Sequence, residues 1–246
     1  MFFNEFYPDL KTGKIYWSIN KIKFIGEEAS RIIMEERNKN GNFYSLEEFI
    51  KRVPKNKVNK RVITNLIYSG AFDQIEVIND VRHRYKLFEQ YCEISKLKIE
   101  KEFPKTESMK TLYWWKLKQK ESCGFAYIDY DNLLAVKNFS NVVINDKNVY
   151  DDWGLETPCC TAGVINKINH KQTKGGDKFA EVRIDCNNEI IFCNFWYQSY
   201  AKHEEALRQA KIGDILLVSG EISFNKFKNF NTVNVRDDSR LEILNI

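Results

Sequence analysis

Between residues 26 and 91 the apolar positions recur every three to four places, and from residue 157 onward they alternate one by one. The first regime predicts helices. "GEEASRIIMEERNKNG" (26–41) sets Ala29, Ile32, Ile33 and Glu36 at helical spacing, with acids in the first turn and Gly41 beyond the end. "SLEEFIKRV" (45–53) opens with Ser45 and has Glu48 three places on, a capping box ahead of Phe49 and Ile50, and Pro54 stops it. "NKRVITNLIYSG" (59–70) starts at Asn59 as N-cap, buries Val62, Ile63, Leu66 and Ile67, and closes at Gly70. A longer helix begins at Asn79 or Asp80, with Val81, Tyr85, Phe88 and Tyr91 as its apolar positions. Residues 96–156 are less regular: a charged stretch interrupted by Pro104, a helix over "TLYWWKLKQKESCGF" closed near Gly124, and no pattern over 126–156.

The second regime predicts strands. "CTAGVINKINHK", "KFAEVRIDC" and "EIIFCNFW" are three in succession, the last two joined by a two-residue turn at Asn187-Asn188. "QSYAKHEEALRQAKIG" is a helix running to Gly213, and "DILLVSGEIS" and "NFNTVNVRDDSRLEI" give two more strands. Three strands, a helix and two strands is the order of the five-stranded OB barrel. A two-residue turn at 187–188 fixes the register between its neighbours. Ala180, Val182, Ile184, Ile191, Cys193 and Phe195 then face the core, while Phe179, Arg183, Phe192 and Trp196 gather outside. The fold class is α+β, with expected parts at 1–95 (helical module), 96–156 (helical connector) and 157–246 (barrel).

Composition narrows the chemistry. With 246 residues, 43% hydrophobic and 29% charged, the chain can bury one large or two small cores. No apolar run reaches membrane-span length and "MFFNEFYPDLKTGK" has no signal-peptide pattern, so a cytoplasmic protein without membrane contact is expected. The six cysteines and three histidines show no metal-ligand spacing, which predicts reduced thiols, no metal and no cofactor. Asp151-Asp152 and Asp237-Asp238 are adjacent pairs, read as solvated acids, so no catalytic residue is expected. Charge is uneven: residues 1–120 hold 24 Lys and Arg against 16 Asp and Glu, and residues 121–246 hold 14 against 18. A basic first half suits a polyanion.

"INKIKFIGEEASRII" (19–33) runs a hydrophobic turn into a helix N-terminus, and "YSGAFD" (68–73) makes a second turn between helices. Backbone N–H groups at such turns can hold phosphate without reading bases, the logic of a helix-hairpin-helix; ordinary helical corners have the same spacing. The stretch from Ile19 through "GNFYSLEEFIKRV" and "VNKRVITNLIYSGAFDQI" resembles the tandem helix-hairpin-helix region of the bacterial DNA polymerase III alpha subunit. The matching features are Ile22-Lys23 and Gly26 ahead of a helix ending in Glu36-Arg37, and the later helix carrying Arg82. "KLKQKESCGFAYIDYDNLL" (116–134) is similar to the segment that precedes the OB domain in that family.

The resemblance implies duplex contacts at Lys23, Ile25, Gly26, Lys57, Lys60, Arg61, Ser69 and Gly70. Phe24 stands where the family usually has glycine, which works against close phosphate approach there. On the barrel, single-strand contacts are expected from Lys171, Lys174, Lys178, Phe179, Arg183, Phe192, Trp196, Lys226, Phe227 and Lys228. The last three lie in "ISFNKFKNFNTV", read as an exposed loop between strands. The expected protein is a non-catalytic DNA-binding part of a replication machine, holding duplex and single strand at a primer–template junction. A separately encoded phage fragment is among the alternatives. Its expected partners are DNA and a catalytic polymerase polypeptide or sliding clamp, although "ESMKTLYWW" lacks the glutamine of a clamp-binding peptide and reads as a core-facing helix edge. The alternative is an interaction subunit whose barrel binds a replisome protein without touching DNA.

Overall fold

The computed structural model describes residues 7–10, 13–16, 18–98, 103–139, 142–143, 154–226 and 230–246. It divides into two compact units, Met1–Ala126 and Tyr127–Ile246.

The first unit opens with a short antiparallel pair, β1 (Tyr7–Asp9) and β2 (Lys14–Tyr16), too short to show as alternation in the sequence. Helices follow at α1 (Glu27–Asn40), α2 (Leu46–Arg52), α3 (Lys60–Ser69), α4 (Tyr85–Ser95) and α5 (Met109–Cys123). Local chemistry sets their ends. Ser45 caps α2 by accepting from the Glu48 N–H at 3.0 Å, but Glu48 reaches back to the Tyr44 N–H rather than to Ser45. The Asn59 side chain accepts from the N–H groups of Arg61 and Val62, and Gly70 ends α3 in the left-handed conformation at φ 82°. The helix expected from Asn79 begins as a 3-10 turn over Val81–Arg84, capped by Asp80.

Ile33, Leu46, Phe49, Leu66, Ile67, Phe72 and Trp115 form a fully buried core. Trp115 brings α5 into it, donating from its indole to the Pro104 carbonyl at 3.3 Å. Ser122, at the end of α5, donates to the Asn65 carbonyl at 2.9 Å and accepts the Lys23 N–H through its own carbonyl at 2.7 Å. Residues 103–123 are therefore integral to the helical unit, and residues 128–136 to the barrel unit. The boundary between the two units falls at Ala126, within the stretch 96–156.

In the second unit, α6 (Tyr130–Val136) and β3 (Val142–Val143) precede the barrel, which holds β4 (Pro158–Gln172), β5 (Lys178–Cys186), β6 (Glu189–Phe195), α7 (Tyr197–Gln209), β7 (Ile215–Asn225), β8 (Phe230–Val235) and β9 (Leu241–Leu244). β4, β5 and β6 form an antiparallel meander, β6 runs parallel to β8, β8 is antiparallel to β7, and β7 closes on β4 over 158–164. That closed circuit is the OB barrel.

Asn187 and Asn188, at φ 53° and 83°, make the expected two-residue turn, which pairs Ala180 with Phe195, Val182 with Cys193 and Ile184 with Ile191. All six are at most 1% exposed. Two glycines allow the tight closure. A Cβ at Gly163 would lie 2.9 Å from the Asp185 carbonyl oxygen, and one at Gly220 only 2.4 Å from that of Asn234.

Two expectations are corrected here. The helix expected to reach Gly213 ends at Gln209, and Gly213 instead makes the following turn at φ 100°. The single last strand is two, broken where the Ser239 hydroxyl caps the Arg236 N–H at 2.8 Å. β8 and β9 both lie along β7, at 221–225 and 215–218, which is why together they read as one strand. The run "ILLV" at 215–218 is buried throughout, flanked by β4 on one side and β9 on the other.

Candidate nucleic-acid interface

On the outside of the barrel, β5 and β6 place Phe179, Arg183, Phe192 and Trp196 on one face, as the pairing of Arg183 with Phe192 requires. The face has two aromatic stations. At one, the Phe179 and Trp196 rings stack with centroids 5.1 Å apart and planes 25° from parallel, and Lys171 lies 5.9 Å above Phe179. At the other, Phe192 meets Phe230 of β8 at 4.5 Å, with the Arg183 guanidinium 5.1 Å from the Phe192 ring. Four residues of strand separate Phe192 from Trp196, about 13 Å at ~3.3 Å per residue.

Between the stations lies a buried polar band. Asn194 donates to Thr232 at 3.1 Å and to Asn234 at 3.4 Å, and Asn234 also accepts from the Trp196 indole N–H at 3.2 Å. Glu181 is 5% exposed and meets the Arg183 guanidinium at 3.3 Å. The band holds the indole edge-on, leaving Trp196 49% exposed.

The β4–β5 loop is a closed turn. The Thr173 N–H donates to the Asp177 carbonyl at 2.8 Å, and Gly176 supplies the left-handed position at φ 97°. Lys171, Lys174 and Lys178 are exposed around it, with Lys178 3.7 Å from Glu204. Lys226 is exposed at the end of β7, where Phe224 is 40% exposed, while Phe227 and Lys228 lie outside the described residues. Phe230 and Asn234 are the residues that sequence reasoning missed at this face. Their place depends on the parallel pairing of β6 with β8, which no local pattern announces.

The hairpin residues of the helical unit are differently disposed. In the first turn the Lys23 N–H goes to Ser122 and the Ile25 N–H to the Ile22 carbonyl at 3.1 Å, and the Ile25 side chain is buried. Gly26 caps α1 in an extended conformation with open space before it. The left-handed position is taken by Phe24, at φ 66°. Lys57 is paired with Glu28 at 2.7 Å, which holds the Glu28 carboxyl below its ordinary range. Lys60 and Arg61 are exposed at the start of α3.

The second turn is filled from within. Arg84, 3% exposed, binds Asp73 at 2.6 Å, the Tyr68 carbonyl at 2.8 Å and Gln119 at 3.1 Å. Gly70 is needed there, since a Cβ would fall 2.3 Å from the Arg84 guanidinium. The N–H groups of Gly70 and Ala71 and the Ser69 hydroxyl all donate inward, so Ser69 and Gly70 build the turn and offer no outward donor. In "ESMKTLYWW", read from the sequence as a core-facing helix edge, Tyr113 and Trp115 are buried and Met109, Leu112 and Trp114 half-buried. Arg84 gave no signal in the sequence beyond being one of several basic residues.

Among the described residues no three His, Cys, Asp or Glu side chains come together as a metal site requires, and no helix is long and apolar enough to cross a membrane. Asp151 and Asp152 lie outside the described residues. All six cysteines are buried, and burial pushes the Cys159 thiol up to about 12.

A family model described as "Helix-hairpin-helix motif" matches residues 4–83. The DNA polymerase III subunit alpha of Aquifex aeolicus is 28% identical over 208 residues, 81% of this chain and 17% of that protein. That of Vibrio cholerae is 25% identical over 243 residues, 92% of this chain and 21% of that protein. A replication factor A related protein from Methanobacterium thermoautotrophicum gives a TM-score of 0.30 at 19% identity, covering 37% of this chain and 84% of that one. Over most of its length the chain is a relative of the DNA polymerase III alpha subunit, of which it spans about a fifth, and its residues 4–83 carry a helix-hairpin-helix motif.

Proposed function

We propose that the chain is a DNA-binding component of a replication machine that carries no catalytic centre of its own. Its barrel face takes single-stranded DNA and its helical unit takes adjoining duplex. One observation carries the reading: two aromatic stations share a sheet face with Lys171 and Arg183, one ring of each station approached by a cation. Stacking accepts any base, and exposed lysines at the β4–β5 loop suit a phosphate backbone. Lys174, Lys178 and Lys226, all exposed, extend that surface. The chain's relation to polymerase alpha subunits supports a place at a primer–template junction, beside a polymerase polypeptide or a clamp.

For the helical unit, Lys23, Lys60 and Arg61 are the cations that duplex phosphates would meet, with Lys57 shared with Glu28. Glu27 and Glu28 in the first turn of α1 oppose a phosphate at that helix end, and this favours a second reading in which the helical unit docks on protein. Glutamate replacement of Lys60 and Arg61 separates the two. On the DNA reading it weakens duplex binding and lowers the salt slope by about one unit per lost contact, leaving single-strand binding unchanged. Unchanged duplex affinity and slope leave the docking role.

A further inference from the structure

Phe24 occupies a conformation that its side chain disfavours. At φ 66°, in the turn between the 3-10 helix Ile19–Lys21 and α1, it holds a left-handed backbone that glycine adopts freely and a bulky residue rarely does. Burial does not offset that strain, because 44% of the residue remains exposed. The ring is instead dressed by cations: the Arg61 guanidinium lies 3.6 Å from its centroid and the Lys23 ammonium 5.3 Å. A strained, half-exposed ring held against a flat cation is a feature to explain by what it meets.

The turn has little else to offer a ligand. The Lys23 and Ile25 N–H groups are donated inside the fold, to Ser122 and Ile22. What remains outward is a π-surface, a guanidinium plane and the lysines at 21 and 23, both exposed. A phosphate by itself needs no ring, whereas an unstacked nucleobase uses all three, lying flat on ring or guanidinium while its phosphate meets the ammonium.

We propose that Phe24 and Arg61 form a stacking platform for one unpaired nucleobase at the end of a duplex. This rests on the reading of the helical unit as a duplex binder and deepens it: the first turn marks where the duplex stops.

The test compares three labelled DNAs by fluorescence anisotropy on the full chain: a blunt duplex, and the same duplex with one unpaired nucleotide at its 3′ or its 5′ end. Wild type is expected to prefer one overhang over the blunt end. Phe24→Gly should cost that overhang about 5- to 150-fold, the worth of one stacked base, and leave the blunt duplex within about twofold. Glycine relieves the left-handed strain, so the variant should melt no lower than wild type, and Phe24→Tyr should keep the preference. Equal binding of overhang and blunt ends by wild type overturns the platform while the duplex reading stands. Unchanged overhang affinity in Phe24→Gly also overturns it and assigns the ring to a protein partner. Wild type that binds no duplex at all overturns both readings.

Discussion

Replacing Trp196 with leucine separates binding from folding at the barrel face. The indole stacks on Phe179 at 5.1 Å and is 49% exposed, so much of its area faces outward. Its attachment to the fold is one hydrogen bond, to Asn234 at 3.2 Å, and partial packing that leucine retains. Losing that bond costs about 0.5–1.5 kcal/mol, a small part of the ~5–15 kcal/mol of a typical domain. Losing a stacked base costs about 1–3 kcal/mol of binding, and at ~1.4 kcal/mol per decade the affinity falls about 5- to 150-fold. No charge changes, so the slope of affinity against salt should be that of wild type. Anisotropy with a labelled oligo-dT across a salt series reads both quantities, and a thermal melt monitors the fold. Affinity within twofold of wild type, repeated for Phe192→Leu, would remove the sheet face from the single-strand site. A changed slope would mean that the loss came from displaced cations.

Other predictions concern the scaffold. Gly220→Ala places a methyl group 2.4 Å from the Asn234 carbonyl oxygen and should destabilise the chain by about 1–3 kcal/mol, read by urea denaturation. Arg84→Ala strips the buried partner from Asp73 and should cost about 3–5 kcal/mol in the same assay, whereas an exposed cation such as Lys174 should be neutral to mutation. The imidazole of His203 is held below its ordinary value of 6.5, first by burial and then by Lys202, and its Nε2 has no hydrogen-bond partner. The fold thus prefers it neutral: its contribution is complete above pH 6.5 and is lost as pH falls through the lowered value. Melting temperature measured downward from pH 7 should drop more steeply for wild type than for His203→Leu; parallel curves would refute this.

The sequence is legible where structure is decided locally. Ser45, Asn59 and Gly70 cap helices through contacts within a few residues, so the three helix ends they mark follow from side-chain chemistry. The Asn187-Asn188 turn likewise fixes the β5–β6 register, and with it both the inner and outer faces. Long-range decisions are not legible. The partnership of Phe192 with Phe230 follows from a parallel pairing across nearly forty residues, and Arg84 fills the second turn only because α5 brings Gln119 to it. The break between β8 and β9 escapes a pattern search because both halves pair with β7. Phe24 was visible as an unusual residue, but its left-handed backbone and its stack with Arg61 require the fold. Phe227, central to the expected loop, lies outside the described residues.

The central claim is that one chain holds both the duplex and the single-stranded part of a junction. Its most direct test is the affinity of the full chain for a primer–template junction, against that for its duplex and single-stranded parts, across a salt series starting at about 50 mM. The account predicts that the junction binds more tightly than either part, with a salt slope steeper than each part gives alone. Junction affinity no greater than that of the tighter part, or no salt-sensitive binding at the lowest salt, would contradict it.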